Sequence, residues 1–333
     1  MEFNCASGGD QQSVGRTMIL SNARLETNGY RQEIIEKVVW LMELLCAIAD
    51  DSYLTTRVAL KGGTALNLFH FNLPRLSVDA DLNYIGAVDR ETMLEERPDV
   101  ENRMKLLFER MGLKMIRYPK QHAGGKMVWR YPSRFGNQGN IAVDLNFMYR
   151  IPLLPIEHRE SIVVAGQQVK NLPVLDIHEL AAGKLTALLE RQTGRDFFDV
   201  NELFQYPEID PHKLRIIFVL YAAMCSKKNM LNITLDDMTV DYKDLKNKLI
   251  PVMKKHFSDG FASTDDWVTH MINNVRHVFN TLLPFTSAEK AFIRAIRNGA
   301  GIKPELFIRD SRLIDFNAIK KHPALLWAEM KMK

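Results

Sequence analysis

Leu60–Tyr84, LKGGTALNLFHFNLPRLSVDADLNY, decides how the chain folds. An apolar segment, Val58-Ala59-Leu60, runs into two glycines and a hydroxyl, Gly62, Gly63 and Thr64. A short amphipathic piece follows, with Ala65, Leu66, Leu68 and Phe69 as its apolar positions. Pro74 breaks that piece, and Arg75 to Tyr84 is predicted as a strand. Successive strand side chains point to opposite faces, so Asp79 and Asp81 stand side by side while Val78, Ala80 and Leu82 face packing. Aspartate is a poor strand former, so two of them on one face need a reason. Neighbouring carboxylates repel, and one tends to stay protonated unless a cation lies between them. Mg²⁺, with Mn²⁺ as the alternative, fits that place, because it prefers oxygen ligands and is commonly held by one or two carboxylates plus substrate phosphates. The glycine turn offers backbone N–H groups at a helix N-terminus, where phosphate binds. Taken alone, the turn is simply a helix cap; turn and aspartate pair together predict a phosphate cradle beside a metal site.

Working outward, Ile141–Met148 (IAVDLNFM) is predicted as a second strand. Asp144 sits among Val143, Leu145 and Phe147, and an unpaired carboxylate is costly to bury. If this strand lies beside that of Asp79 and Asp81, Asp144 reaches the same site. Two metal ions about 4 Å apart could then activate an attacking hydroxyl and stabilise a leaving pyrophosphate. The alternative is a salt-bridged structural aspartate.

Gly62-Gly63-Thr64, Arg75-Leu76-Ser77 and Asp79-Ala80-Asp81-Leu82 together resemble the nucleotidyltransferase signature, a glycine-hydroxyl turn followed by Asp-x-Asp on a strand. In detail the stretch is similar to the AbiEii/AbiGii toxin family, the nucleotidyltransferase-like toxins of type IV toxin–antitoxin and abortive-infection systems. Many nucleotidyltransferases have serine where Thr64 stands, and threonine keeps the hydroxyl. The resemblance implies an α/β (α+β) fold. A flexible tail over 1–28 would precede a nucleotidyltransferase-like domain over 29–175, with a small mixed β-sheet flanked by helices. A helical domain over 176–333 would follow. It implies that Asp79, Asp81 and Asp144 hold metal, and that Gly62, Gly63, Thr64, Arg75 and Ser77 surround the nucleotide. The run Lys184–Val200, KLTALLERQTGRDFFDV, resembles the family's second block, a helical lysine followed by R-D-x-x-D. That implies Lys184 at the triphosphate and Asp196 in the active site. Asp199, one turn on, bonds Arg195 or caps its helix. Without the family, Lys184 reads as a solvated lysine and Arg195–Asp199 as an i,i+4 ion pair.

Elsewhere, apolar residues at helical spacing over Gln32–Ala49 (Ile34, Ile35, Val38, Val39, Leu41, Met42, Leu45, Ile48) predict a buried helix. Asp89–Met111 is predicted as a helix interrupted by Pro98, and Leu113–Tyr118 and Lys126–Tyr131 as strands. Gly124-Gly125-Lys126 lacks the leading glycine and the following hydroxyl of a P-loop. A short hairpin is expected from Ser161–Val164 and Gln168–Lys170. Asp176 and Glu179 suggest a capping box opening a helix over Ile177–Arg191, which Gly194 ends. Later helices are expected near Pro211–Cys225, Asp241–His256, Asp265–Leu283, Ser287–Asn298 and Phe316–Met330.

The chain has 333 residues, 46% hydrophobic and 25% charged, an ordinary globular composition. No apolar run approaches the roughly 20 residues that span a bilayer, so no membrane partner is expected. The polar N-terminus does not read as a signal peptide. Cys5, Cys46 and Cys225 lie far apart without zinc spacing, which fits a reducing bacterial cytoplasm. Motifs of serine hydrolases, zinc proteases, EF-hands and dinucleotide-binding folds are absent. The net charge of +4 and the C-terminal lysines and arginines, Lys227 and Lys254 among them, suit either an RNA backbone or a solvated face. The resemblance implies an NTP substrate, an RNA acceptor (the 3′ end of tRNA), inhibition of translation and a cognate AbiEi-like antitoxin. A protein or small-molecule acceptor is the second hypothesis, and an NTP-binding module without turnover the third.

Overall fold

The computed structural model describes residues 28–71, 74–119, 123–225, 228–235, 238–310 and 312–330. The tail expected over 1–28, Asn28 excepted, lies outside them, as do Cys5 and Lys227. The chain divides into two units, the first running to Arg150 and resuming at Ile156–Leu175, the second formed by Ile151–Pro155 and the chain from Asp176 onward.

Unit 1 is organised by a sheet. Helix α1, Gln32–Ala49, buries Ile35, Val38, Val39, Leu41, Met42, Leu45 and Ile48, the stripe its periodicity predicts, and packs over the sheet. Each such side chain contributes about 1.5–3 kcal/mol on full burial. Strand β1, Val58–Lys61, leads into α2, a turn Gly62–Thr64 that continues as a π-helical stretch Ala65–His70. Strand β2 is Asp79–Tyr84. It is shorter than expected, because Arg75 is buried and its guanidinium donates to the Leu76 carbonyl (3.3 Å) just before the strand. Helix α3, Arg90–Arg110, is continuous through Pro98. Pro98 lies on the exposed side, where water can satisfy the carbonyl freed at Leu94. Strands β3 (Lys114–Arg117), β4 (Gly124–Pro132) and β5 (Gln138–Asn146) follow, and β6 (Glu157–Arg159) and β7 (Leu172–Val174) complete the set. The order is β3-β4-β5-β2-β1-β7-β6. Both β2–β5 and β1–β7 are parallel pairs, and the other neighbours are antiparallel. The hairpin expected from Ser161–Val164 and Gln168–Lys170 is joined at its turn, where Val164 and Gln167 exchange backbone hydrogen bonds (2.9 and 3.0 Å), and at Ser161, whose N–H donates to the Val169 carbonyl (2.8 Å). Its ladder lies further out, at β6 and β7, where Val174 reaches Leu60 of β1.

Unit 2 is helical: α4 (Ile177–Arg191), α5 (Gly194–Leu203), α6 (Pro211–Met224), α7 (Thr264–Leu282), α8 (Ser287–Arg297), α9 (Phe316–Lys321) and α10 (Pro323–Met330). Gly194 opens α5 rather than ending α4; the left-handed residue closing α4 is Gln192. Pro323 divides the helix expected over Phe316–Met330, since the residue before a proline is driven out of the helical region and His322 is extended. The segment expected as a helix over Asp241–His256 is a series of short turns ending at Pro251 and Val252. Among the described residues no helix is long and apolar enough to cross a membrane.

The capping box expected at Asp176 is half formed. Asp176 accepts from the His178 N–H (2.8 Å), but the buried Glu179 turns away. Its carboxylate accepts from the N–H groups of Leu153 and Leu154 (both 2.9 Å) and from the Tyr221 hydroxyl (3.1 Å). Burial pushes the Glu179 pKa from 4.5 up to about 7, against the pull of those three donors. A carboxyl whose pKa is raised on folding stabilises fully below its unfolded value and loses that stability as pH rises through the folded one. Between about pH 4.5 and pH 7 the protein should therefore lose on the order of 3 kcal/mol through this group. Glu179→Gln should flatten the fall of the melting temperature over that window, and an unchanged slope would contradict the assignment.

Candidate active site

Strand register alone gathers the acidic positions. Asp81 of β2 lies opposite Asp144 of the parallel β5, and opposite Lys61 of the antiparallel β1. Asp144 in turn faces Lys126 of β4. Register partners share a face, so Lys61, Asp81, Asp144 and Lys126 make one row across four strands, with Asp79 on the same side. The opposite face presents Ala80, Leu82, Val143 and Leu145, all buried.

Both oxygens of Asp79 have cationic neighbours: Lys37 Nζ of α1 at 3.8 Å from Oδ1, and Lys126 Nζ at 3.5 Å from Oδ2. Such long, partly exposed pairs are worth about 0–1 kcal/mol each. Three lysines thus accompany three carboxylates on this face.

The glycine turn is built against this row. Gly62 has a φ of +74°, and a Cβ there would overlap Oδ2 of Asp81. The residue before α2 is Lys61, whose ammonium cannot accept from the first N–H groups of the turn. Thr64 is fully buried, and its hydroxyl donates to the Asp79 carbonyl oxygen (2.5 Å), tying α2 to the acidic strand. Gly63, its neighbour in the turn, is buried too. Arg75 is buried beside Tyr30, whose phenol burial pushes up to about 12 despite the guanidinium. Ser77 is half-buried and immediately precedes β2.

Among the described residues, no three acidic, histidine or cysteine side chains are grouped so as to hold a metal ion. The donors nevertheless suit Mg²⁺ or Mn²⁺, being carboxylate oxygens on one face, with Asp81 in a cradle that a Cβ at Gly62 would fill. Two lysines also stand beside Asp79 on this face.

A family model described as nucleotidyl transferase AbiEii toxin, type IV toxin–antitoxin system, matches residues 43–280, well over half of the chain. The chain belongs to the AbiEii family. As a member it is a nucleotidyltransferase toxin of a type IV system, acting on an NTP and implying an antitoxin partner. The structure of MenT4, a nucleotidyltransferase toxin from Mycobacterium tuberculosis H37Rv, is similar at a TM-score of 0.57 and 18% identity, over 94% of this chain and 98% of that one. At that identity the likeness concerns the fold, which is the mixed sheet and helices expected from the sequence. A comparison with curated proteins returned no match.

The second AbiEii block lies in unit 2, and its side chains hold one another. Lys184 is buried, with Nζ 2.7 Å from Asp199 and 3.4 Å from Asp196. Arg191 adds a two-pronged contact to Asp196 (2.8 and 3.0 Å), and the Thr193 hydroxyl donates to it at 2.6 Å. Burial disfavours the charge on Asp196, but Lys184, Arg191 and Thr193 outweigh it and bring its pKa down to about 2. Lys184 is therefore no solvated lysine, and Asp199 turns to it rather than forming the simple surface pair with Arg195. The Gly194 N–H donates to Asp244 (2.9 Å), which fixes the start of α5.

Sequence reading passed over Lys37, Lys61 and Lys126 on the acidic face, and gave Asp199 too small a part. Strand alternation places Lys126 on one face with Gly124, but what it faces is set by the pairing of β4 with β5.

Breaking a buried pair leaves an uncompensated charge, which costs about 3–5 kcal/mol. Lys184→Met should lower unfolding stability in urea by about that amount, and adding Asp199→Asn should recover part of it. An unchanged midpoint for Lys184→Met would contradict a buried lysine–aspartate lock.

Proposed function

We propose that this AbiEii toxin is a Mg²⁺-dependent enzyme that transfers a nucleoside monophosphate from an NTP to the 3′ end of tRNA, and so blocks translation. The observation that supports this most is the register of Asp81 with Asp144, with Asp79 on the same face and a side-chain-free turn at Gly62 beside them. We assign the chemistry to unit 1.

The acceptor hydroxyl oxygen attacks the α-phosphorus, the bond to the β-phosphate bridging oxygen breaks, and pyrophosphate leaves. Asp79 and Asp81 would hold the divalent cation, which when bound would supply Lewis-acid stabilisation of the charge that develops. Asp144 stands beside Asp81 and takes up the proton of the acceptor hydroxyl or shares in holding the cation. Among the described residues its carboxylate has no ion pair or hydrogen bond, which leaves it available for either part. The N–H groups at the start of α2, those of Gly63 and Thr64, receive phosphate oxygens. Positioning and electrostatics do most of the work, as in phosphoryl transfer generally.

RNA is the acceptor that fits a basic toxin best, because phosphate neutralisation governs such binding. The test incubates the protein with Mg²⁺, each α-labelled NTP in turn and total bacterial RNA. Label should enter tRNA-sized RNA and be lost, by about 100-fold or more, in Asp79→Ala/Asp81→Ala, given the weight that electrostatic stabilisation carries in catalysis. Label in protein, or pyrophosphate release without labelled RNA, would overturn the acceptor. Turnover that survives the double substitution would overturn the site.

A further inference from the structure

Lys126 belongs to neither AbiEii block, yet its ammonium stands beside Asp79. We propose that Lys37 and Lys126 are exchangeable counter-ions of Asp79. They neutralise it before loading and give it up to the divalent cation, and Lys126 then binds the triphosphate. This rests on the reading of Asp79 and Asp81 as metal ligands.

Four observations carry it. First, the two lysines address different oxygens of Asp79, Lys37 at Oδ1 and Lys126 at Oδ2. With an ammonium beside each oxygen, a metal that binds Asp79 does so in competition with both lysines. Second, both contacts are long, and the Lys126 side chain is 41% exposed, so it can swing without unpacking the sheet. Third, the position of Lys126 is imposed by the backbone. Gly124 opens β4 with a φ of +92°, and a Cβ there would overlap the Leu145 carbonyl of β5. That close approach holds β4 in the register that sets Lys126 opposite Asp144. The Gly124-Gly125-Lys126 sequence thus works through strand pairing and not as a phosphate loop. Fourth, charge balance asks for it. Lysines at 37, 61 and 126 accompany carboxylates at 79, 81 and 144. Once cations occupy the carboxylates, the lysines are in excess, and a metal-bound triphosphate is the anion that restores balance. Lysine suits the task, as a compact charge on a flexible stem. Lys37 comes from α1, is less exposed, and serves only as counter-ion.

Calorimetric titration with Mn²⁺ alone, then with an NTP analogue at saturating Mn²⁺, tests this without reading turnover. Removing a competitor should tighten Mn²⁺ binding, up to about fivefold, in both Lys37→Met and Lys126→Met. Lys126→Met should weaken nucleotide binding about tenfold, Lys126→Arg should largely preserve it, and Lys37→Met should leave it unchanged. Melting curves establish that each variant is folded. Saturable Mn²⁺ binding in the parent, lost in Asp79→Ala/Asp81→Ala but equal in the lysine variants, would overturn the lysine roles and leave the metal site standing. No saturable Mn²⁺ binding in the parent would overturn both.

Discussion

The pairing of β2 with β5 is the constraint on which the rest depends. A slip of one residue would turn Asp144 to the face of Val143 and Leu145, among buried apolar side chains. That slip is opposed on both faces at once. Ala80, Leu82, Val143 and Leu145 require burial, and Asp79, Asp81 and Asp144 require a polar face with cations. Packing energy therefore specifies the chemistry: the alternation that fills the core also aligns three carboxylates.

The parallel pairing explains why the acidic positions are so far apart in sequence. Parallel neighbours need a crossover connection, and here the chain between β2 and β5 carries α3, β3 and β4. The last of these returns beside β5 and supplies Lys126. On the other side, β1 contributes Lys61 and then breaks into the glycine turn, where the lack of a Cβ at Gly62 gives Asp81 its space. Each neighbour of the acidic pair thus adds a cation or clears room for a ligand.

Much of this was legible in the sequence, because alternation and helical spacing are local signals. The strand positions of Asp79, Asp81 and Asp144, the stripe of α1 and the span Ile177–Arg191 all follow from them. What could not be read depends on partners distant in sequence. Lys37 reaches Asp79 from a helix, and Lys126 reaches it through a register that no local pattern encodes. Glu179 looked like half of a capping box because its true acceptor duties are to Leu153 and Leu154, whose place beside it only the fold reveals. Pro98 and Pro323 show the same limit. Two prolines in helical patterns had different outcomes, decided by whether the freed carbonyl reaches solvent and by whether a new helix can begin at the proline.

An AbiEii nucleotidyltransferase built this way should hold its metal on the sheet face and nowhere else. Anomalous scattering from crystals grown with Mn²⁺ and an NTP analogue that resists cleavage at the α-phosphate tests that most directly. A peak is expected about 2 Å from carboxylate oxygens of Asp79 and Asp81, with Asp144 facing it and the Lys126 ammonium moved to the phosphates. Nucleotide bound with its metal away from these aspartates, or with Asp79 still held by both lysines, would contradict it.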